Sequence, residues 1–292
     1  MPAPRVSVIC IFHQAERFLA EAVDSVLAQD FRDFELLLVD DGSTDGGTAI
    51  AQGYAARLPG TVRWLDHPGH ANRGMSATRN RGLAEARGQL LAFIDADDVW
   101  RPGKLRAQVA LLDAHPEAGM VCGALEYWRS WQGGTDSVVR IGRHQGRLCH
   151  PPRTVLDLYP LGTFPAVSVD ALVRRAVVDR VGGFEDRFTG LYEDQAFFAK
   201  VLATTPVWFA PDAWLRYRQH DASCVAQTRA AGLYRQRRGA FLDWLAEWIA
   251  AHDVPGRPRL QRALRRERWK LRHPLAARVL TRLQRALPDL LA

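Results

Sequence analysis

Short apolar runs alternate with amphipathic stretches of helical length from residue 5 to about residue 120. The apolar runs predict four strands, with the sequences VSVICIF, FELLLVD, TVRWLD and QLLAFID. The amphipathic stretches predict helices at residues 15–28, 44–57, 74–87 and 102–115. Strands that are apolar throughout and alternate with helices are typical of a mainly parallel sheet with both faces covered. We therefore expect an α/β fold.

Acidic clusters follow two of these predicted strands. Asp40 and Asp41 end the second strand, and Asp95, Asp97 and Asp98 follow the fourth. Ligands of parallel sheets bind beyond the carboxyl ends of the strands, so a binding site is expected there. Carboxylates this close together repel one another and resist burial. A hard divalent cation shared with substrate phosphates would offset that repulsion. An acid–base pair or a simple helix cap also fits the pattern.

The sequence from residue 120 to residue 228 is less regular. Residues 128–165 are rich in Gly, Arg and Pro, which predicts a long loop with little structure of its own. The segment AVSVDALVRR predicts a strand, residues 193–203 a helix, and AWLRYR another strand. Three helical stretches follow, at residues 229–251, 258–272 and 275–287.

Basic residues are concentrated at the C-terminus. The formal net charge is +7, but residues 229–292 contain fourteen Arg and one Lys against five acids, which is +10. The first 228 residues then carry −3. This asymmetry divides the chain into a domain of residues 1–228 and a basic helical extension of residues 229–292.

Leucines and one valine recur near every fourth or seventh residue of 258–287, with arginines between them. They are Leu260, Leu264, Leu271, Leu275, Val279, Leu283 and Leu287. Basic amphipathic helices of this kind lie on anionic membrane surfaces. A helical cap on the first domain, with a solvated Arg face, explains the pattern equally well. The Arg content also fits nucleic acid, but no nucleic-acid motif supports that partner.

Cysteine usage and the N-terminus bear on the compartment. The four cysteines are widely spaced and form no C-x-x-C pair, which argues against a zinc site or a disulfide framework. The N-terminal sequence MPAPRVSVICIF lacks the features of a signal peptide. No apolar run approaches the roughly 18 residues of a membrane span. We expect a cytoplasmic protein, at most peripheral at the inner face of the cytoplasmic membrane.

Four segments in order carry a resemblance to a known family: VSVICIF through VDDGSTDGG, SATRNRGLAEARGQLLAFIDADDVW, GGFEDRF and YEDQAFFAKV. Together they resemble the inverting GT-A glycosyltransferases of family 2 over residues 5–228. The resemblance implies a mixed, mainly parallel sheet flanked by helices. It also implies transfer of a sugar from a nucleotide-diphosphate donor, favouring UDP, to an acceptor hydroxyl. The acceptor would be a saccharide or lipid-linked molecule in cell-envelope polysaccharide, lipopolysaccharide or glycoconjugate synthesis.

The resemblance also implies roles for the acidic clusters. Asp41 would contact the nucleobase with Asp40 in support, and Arg79 would lie near the nucleotide. The D-x-D segment would bind the donor diphosphate through Mg²⁺ or Mn²⁺, with Asp97 as metal ligand and Asp95 near the ribose or the metal. The neighbouring Asp98 is expected to cap the following helix.

Two later segments complete the expected site. Displacement at the anomeric carbon needs a base within hydrogen-bond reach of the acceptor hydroxyl. The resemblance assigns that base to Asp194, with Glu193 holding the acceptor or replacing it; a plain helix N-terminus is the alternative. The segment RYRQHDAS resembles a late R-x-H-x-x-S segment. It implies His220 as a metal ligand or diphosphate contact and Arg218 as a phosphate partner.

The first strand departs from the family, because Ile11-Phe12-His13-Gln14 stands where P-x-Y-N is usual. His13 would replace the aromatic ring near the base, which leaves the choice of base open. Two other functions are compatible with the acids. A nucleotidyltransferase would want a Gly/Arg-rich loop after the first strand, which is absent. A degenerate, non-catalytic sugar-nucleotide binder is supported by the lost P-x-Y-N alone.

Overall fold

The computed structural model describes residues 3–167, 169–220, 228 and 230–277. The strands are β1 (Val6–Phe12), β2 (Phe34–Asp40), β3 (Val62–Asp66), β4 (Leu90–Asp95), β5 (Val99–Trp100), β6 (Met120–Trp128), β7 (Ser137–Val139), β8 (Arg147–Cys149), β9 (Leu172–Arg174) and β10 (Val207–Arg218). The helices are α1 (Leu19–Leu27), α2 (Gly47–Arg57), α3 (Met75–Glu85), α4 (Lys104–Ala114), α5 (Arg153–Asp157), α6 (Arg175–Val181), α7 (Glu193–Thr204), α8 (Tyr234–Ala251) and α9 (Arg257–Arg272).

These strands form one sheet in the order β3-β2-β1-β4-β9-β6-β10-β5, with β7 added beside β6 and β8 beside β10. The first four strands in this order are parallel. Strand β9 is antiparallel to both of its neighbours, and β5 is antiparallel to β10. Every residue of β1 and β2 is buried, as expected for a sheet covered on both faces. The predicted mixed, mainly parallel α/β sheet is confirmed.

Strand register brings the acidic clusters to one edge. Phe12, at the end of β1, lies opposite Asp40 of β2, and Ile11 lies opposite Asp95 of β4. The chain leaves β1 toward β2 and β3 on one side and returns to β4 on the other. This reversal of strand order is the place where open α/β sheets bind ligands.

The loops after β1 and β2 are hydrogen-bonded to each other, and both following helices begin later in the sequence than predicted. Gln14 Oε1 accepts hydrogen bonds from the backbone N–H of Thr44 (2.7 Å) and Asp45 (3.2 Å). Asp45 Oδ2 accepts one from the Glu16 N–H (2.9 Å). Glu16, Thr44 and Asp45 were predicted to be helical, but their backbone N–H groups bond across the two loops instead. Helix α1 therefore begins at Leu19 and α2 at Gly47.

The middle of the chain is more regular than predicted. The prediction that residues 128–165 have little structure is wrong, since they contain β7, β8 and α5. The nine-residue β6 was not predicted, and the strand expected in AVSVDALVRR is only Leu172–Arg174, with α6 following directly. Three-residue strands depend on backbone pairing with distant strands, which local periodicity does not reveal.

Helices α8 and α9 pack on the rest of the fold. Phe241, Leu242, Trp244 and Leu245 of α8 belong to the same hydrophobic cluster as the sheet. Leu260 and Leu264 of α9 are buried, Leu271 is half-buried and Leu275 is 75% exposed. The remaining predicted apolar positions, Val279, Leu283 and Leu287, lie outside the described residues.

Two further expectations concern the cysteines and membrane spans. Cys10, Cys122 and Cys149 are free and buried, while Cys224 lies outside the described residues. Within the described ranges, no helix is both long enough and apolar enough to cross a bilayer.

Helix α3 packs closely on the sheet at Gly82, and substitution of this glycine tests that contact. A Cβ on Gly82 of α3 would lie 2.6 Å from Ile9 Cγ2 and 3.2 Å from Val39 Cγ2. Overpacking costs roughly 1–3 kcal/mol, against a helix-propensity gain of about 1 kcal/mol for Ala over Gly. We expect Gly82→Ala to lower the free energy of unfolding by up to about 2 kcal/mol, measured by urea denaturation.

Gly53 of α2 is the matched control, because a Cβ there would meet nothing within 4 Å. Gly53→Ala should raise the free energy of unfolding by about 0.5–1 kcal/mol. Equal effects of the two substitutions would contradict the close contact of α3 with β1 and β2.

Candidate active site

Asp40 and Asp41, at the carboxyl end of β2, have different partners. Asp40 is fully buried, and its carboxylate accepts hydrogen bonds from the Ser43 N–H (2.8 Å) and the Thr48 hydroxyl (2.5 Å). It therefore shapes the turn into α2. Asp41 accepts from the backbone N–H of Arg73 (2.6 Å) and Gly74 (3.0 Å), just before α3. Both acids hold loops together here, and the nucleobase contact of Asp41 stays a prediction.

Gly42 allows the loop after β2 to approach the loop before α3. Its φ is +73°, and an added Cβ would lie 2.7–2.9 Å from backbone atoms of residues 70–72. Only glycine fits such a left-handed position against another backbone segment. His13, at the end of β1, is exposed on the same edge. The structure places it beside the β2 acids, and its predicted contact with the base stays a prediction.

Arg79 lies beneath the carboxyl end of β4. One of its Nη atoms donates to Asp95 Oδ1 at 2.6 Å, and its guanidinium lies 5.4 Å from the Phe184 ring. Burial works to lower the pKa of Arg79, but Asp95 and Asp194 outweigh it and raise that pKa. The guanidinium is therefore charged and lies between acids from two distant parts of the chain. Arg79 acts on the site through these carboxylates, and contact with the nucleotide stays a prediction.

Asp97 and His220 meet beyond the ends of β4 and β10. His220 Nε2 lies 2.9 Å from Asp97 Oδ2. Both side chains keep part of their surface exposed, 31% for Asp97 and 15% for His220. The structure thus brings together two of the three predicted metal ligands, while the third, Asp95, engages Arg79 through Oδ1.

The Arg218 guanidinium is enclosed by protein. It donates to the Asp97 carbonyl oxygen at 2.6 Å and to Glu21 Oε2 at 2.5 Å. Three aromatic rings lie 4.3–4.9 Å from its Cζ: Phe18, Trp128 and Trp131. Only 4% of its side chain is exposed. Arg218 thus holds the segment that carries Asp97, and its pairing with phosphate stays a prediction.

The expectation that Asp98 caps the following helix is wrong. Helix α4 begins at Lys104 with Gly103 at its N-cap and without a side-chain cap. Asp98 is fully buried, and its Oδ1 accepts the Arg218 N–H at 2.9 Å. Burial raises its pKa well above its usual range, and Asp97 and Asp95 add to that rise. Asp98 therefore fixes the end of β10 against β4, a contact between residues too far apart in sequence to predict.

Glu193 and Asp194 form the first turn of α7. Asp194 is half-buried and accepts hydrogen bonds from the Gln195 N–H (2.7 Å) and Gln195 Nε2 (3.0 Å). Burial raises the pKa of Asp194, with Arg79 opposing and Asp95 adding to the rise. Burial also raises the pKa of Glu193, which is 4% exposed. Of the pair, Asp194 is the one that an incoming group can reach.

A cavity of about 210 Å³ lies between the ends of β4, β6 and β10 and the start of α7. Asp95 and Asp194 both line it. The remaining wall is mostly apolar and aromatic, and includes Tyr127, Tyr217, Val139, Pro165 and Val167. The cavity thus brings together two acidic residues that lie 99 positions apart in the sequence, between walls that are otherwise mostly apolar.

Several residues of the site were missed or misplaced by the sequence reasoning. Phe18 lies within the helix predicted for residues 15–28, but it precedes α1 and contacts Arg218 and His220. Glu21 and Tyr217 carry no pattern that separates them from ordinary helix and strand residues.

The donor set fits a hard divalent cation that also binds substrate phosphates. Among the described residues, no group of three or more His, Cys, Asp or Glu forms a closed metal cage. Mg²⁺ is usually held by one or two carboxylates together with substrate phosphates and water. Asp97, partly exposed and with Asp95 close by on the same segment, matches that arrangement, and His220 Nε2 lies beside Asp97 as a nitrogen donor.

Comparison with known proteins identifies the family. The profile of Glycosyl transferase family 2 matches residues 7–180. EpsE of Bacillus subtilis, provisionally named a glycosyltransferase, is 39% identical over 112 residues, which are 38% of this chain and 40% of EpsE. TuaG of B. subtilis, provisionally named a teichuronic acid biosynthesis glycosyltransferase, is 37% identical over 112 residues, 37% of this chain and 42% of TuaG. The chain thus spans about two fifths of these relatives.

Solved structures agree with the fold. The structure of S. aureus TarS 1-349 in complex with UDP-GlcNAc has a TM-score of 0.69 at 21% identity, over 93% of this chain and 73% of that chain. The mannosyltransferase PcManGT of Pyrobaculum calidifontis, in complex with GDP-Man and Mn²⁺, has a TM-score of 0.62 at 22% identity, over 98% of this chain and 76% of that chain. With the family profile covering more than half of the residues, the chain belongs to glycosyltransferase family 2.

Proposed function

We propose that this protein transfers a sugar from a nucleotide-diphosphate donor to an acceptor hydroxyl, with inversion at the anomeric carbon. The observation that carries the proposal is the cavity lined by both Asp95 and Asp194. A donor with its diphosphate near Asp95 and Asp97 would present its sugar to this cavity. An acceptor hydroxyl near Asp194 would then attack from the side opposite the departing nucleotide, and a single displacement of this kind inverts the configuration.

Asp194 serves as the base in this proposal. It receives the proton of the acceptor hydroxyl as the new glycosidic bond forms and the sugar–phosphate bond breaks. Gln195 holds both of its carboxylate oxygens, and Arg79 supplies a fixed positive charge nearby. Glu193 is too buried for this role and supports the turn instead.

Asp97 and His220 would hold Mg²⁺ or Mn²⁺ on the donor diphosphate, with Asp95 in support. The cation supplies charge neutralisation for the departing nucleoside diphosphate. Arg218 and Asp98 keep Asp97 in place from behind.

The donor is a nucleoside diphosphate sugar, with UDP favoured. Support comes from the complexes of S. aureus TarS with UDP and UDP-GlcNAc. Because PcManGT is in complex with GDP-Man and Mn²⁺, the donor panel below also includes GDP-sugars. Asp41, with Asp40 in support, would bind the base, and the exposed His13 would lie beside it. A saccharide or lipid-linked acceptor of the cell envelope is supported by the name of TuaG.

The activity is tested by incubating the protein and Mn²⁺ with a panel of nucleotide sugars and candidate acceptors, and following nucleoside diphosphate release. We expect turnover with one donor, and a loss of about 100-fold or more in kcat for Asp194→Asn and for Asp97→Ala. Asp253→Asn, at an exposed carboxylate between α8 and α9, is the control and should leave kcat unchanged.

Three other outcomes would contradict this proposal. Pyrophosphate release from a nucleoside triphosphate would indicate a nucleotidyltransferase. Donor binding without turnover in the presence of acceptors would indicate a degenerate binder. Full activity of Asp194→Asn would place the base elsewhere.

The acid limb of the pH profile should report Asp194. Because burial raises its pKa, and because only the carboxylate can accept a proton, kcat should rise with pH through an apparent pKa above the ordinary value of about 3.9. The measurement is kcat against pH at saturating donor, acceptor and Mn²⁺. An acid limb at or below the ordinary Asp value would contradict Asp194 as the base.

We also propose that the outer face of α9 binds anionic membrane surfaces. The apolar side of α9 is already covered, since Leu260, Ala263 and Leu264 are buried. Arg262, Arg265, Trp269 and Arg272 follow one another at spacings of three and four on the opposite, exposed side. Trp269 is 41% exposed between these arginines, and Leu275 is exposed beyond them. The two hypotheses for the tail, a helical cap and a membrane-binding helix, are therefore compatible. In this proposal α9 caps the fold with its apolar side and binds anionic lipid with its Arg side.

The test is sedimentation with phosphatidylglycerol vesicles and with phosphatidylcholine vesicles. Each Arg near an anionic surface contributes about 1 kcal/mol, so Arg262→Gln with Arg265→Gln should weaken binding to the anionic vesicles by roughly tenfold or more. Arg57→Gln with Arg106→Gln, at two exposed positions outside α9, removes the same charge as a control. Equal loss in both double variants, or no binding to anionic vesicles, would refute the proposal.

A further inference from the structure

The turn before α7 has a backbone conformation that a bulky side chain rarely adopts. Tyr192, directly before Glu193 and Asp194, has φ of +74° and ψ of 8°. Left-handed backbone is disfavoured for residues with a large side chain, and it persists only where surrounding contacts determine it. The chain enters α7 through this residue, whose carbonyl oxygen accepts the Ala196 N–H at 2.9 Å. Its conformation therefore sets the direction of the first turn of α7.

The Tyr192 side chain is held by the C-terminal helices. Its ring stacks on Phe241 of α8, with centroids 4.6 Å apart and planes inclined by 20°. Its hydroxyl lies 2.5 Å from the Tyr159 hydroxyl, which lies 3.1 Å from that of Tyr234 on α8. Only 2% of Tyr192 is exposed. The contacts needed to maintain a left-handed residue are thus supplied by α8 and by the segment after α5.

A second layer connects this group to α9. The Arg238 guanidinium of α8 lies 5.1 Å from the Tyr159 ring. One of its Nη atoms donates to Glu267 Oε2 of α9 at 2.8 Å and to the Pro160 carbonyl oxygen at 3.1 Å. Arg238 and Glu267 are both largely buried. The connection therefore runs from α9 through Arg238 and Tyr159 to Tyr192.

We propose that Tyr192 is a positioning residue, and that α8 and α9 hold it in its left-handed conformation so that Asp194 faces the cavity. The proposal rests on the proposed function, in which Asp194 is the base. Helices α8 and α9 would then affect the rate only through the contacts that reach Tyr192, since they contribute no group that touches the substrate. Misplacing a catalytic group by about 1 Å can reduce the rate about 100-fold, so a modest rotation of this turn would suffice.

The main test removes the stacking partner and leaves the motif itself unchanged. Phe241→Ala should lower kcat by about 10- to 100-fold while the KM for the donor stays within about twofold, because the proposed donor contacts follow β1, β2, β4 and β10 and none lies on α8. Trp248→Ala is the matched control. It truncates another buried aromatic residue of α8, one that stacks on His252, and should leave kcat nearly unchanged.

Two conservative variants separate positioning from stability. Tyr192→Phe keeps the ring on Phe241 but loses the bond to the Tyr159 hydroxyl, so it should lower kcat less than Phe241→Ala does. Phe241→Leu keeps bulk without a flat ring, and it serves if Phe241→Ala does not fold. Equal losses of kcat in Phe241→Ala and Trp248→Ala, or a donor KM that rises with the loss of kcat, would overturn the proposal.

Hydrogen exchange provides a readout that does not depend on activity. Amides in the first turns of α7 should exchange faster in Phe241→Ala than in the unchanged protein, while those of β1 and β4 should not. This result would stand even if no donor were turned over, so failure of the proposed function is distinguishable from failure of the positioning role. Unchanged exchange at the start of α7 would refute the positioning role of Tyr192.

Discussion

The charge on Arg79 makes the rest of the site possible. Acids from β4 and α7 point toward one enclosed space, and carboxylates in such a space repel one another and lose hydration. The Arg79 guanidinium bonds to Asp95 and lowers the cost of ionising Asp194. Because α3 packs closely on β1 and β2, as Gly82 shows, Arg79 has little freedom to move away. The sheet, the helix and the charge therefore depend on one another.

The acids of the two clusters and of α7 differ in how deeply they are buried. Asp40 and Asp98 are fully buried and are used by turns and neighbouring strands. Asp97 and Asp194 keep exposed surface, and the proposed chemistry uses these two. Burial and partners, rather than residue type, separate the two groups. The C-terminal helices add a further division, since α8 packs against the turn that carries Asp194 while α9 presents arginines outward.

Much of the first half of the fold could be predicted from the sequence. The four parallel strands and the helices after them have strong local periodicity, and their bounds were close wherever no loop contact intervened. The failures have a common cause. Strands β7, β8 and β9 are each three residues long and depend on pairing with distant strands. The start of α1 was misplaced because Gln14 and Glu16 bond to another loop.

The sequence by itself determined the α/β fold, the family and the edge of the sheet at which the acids lie. It could do so because apolar periodicity and strand ends are properties of contiguous residues. Only the tertiary structure decided that Asp98 braces β10, that Arg218 is enclosed by rings, and that Tyr192 rests on α8. Those roles depend on contacts between residues tens to more than a hundred positions apart. Such contacts exist only once the chain has folded, and no local pattern encodes them.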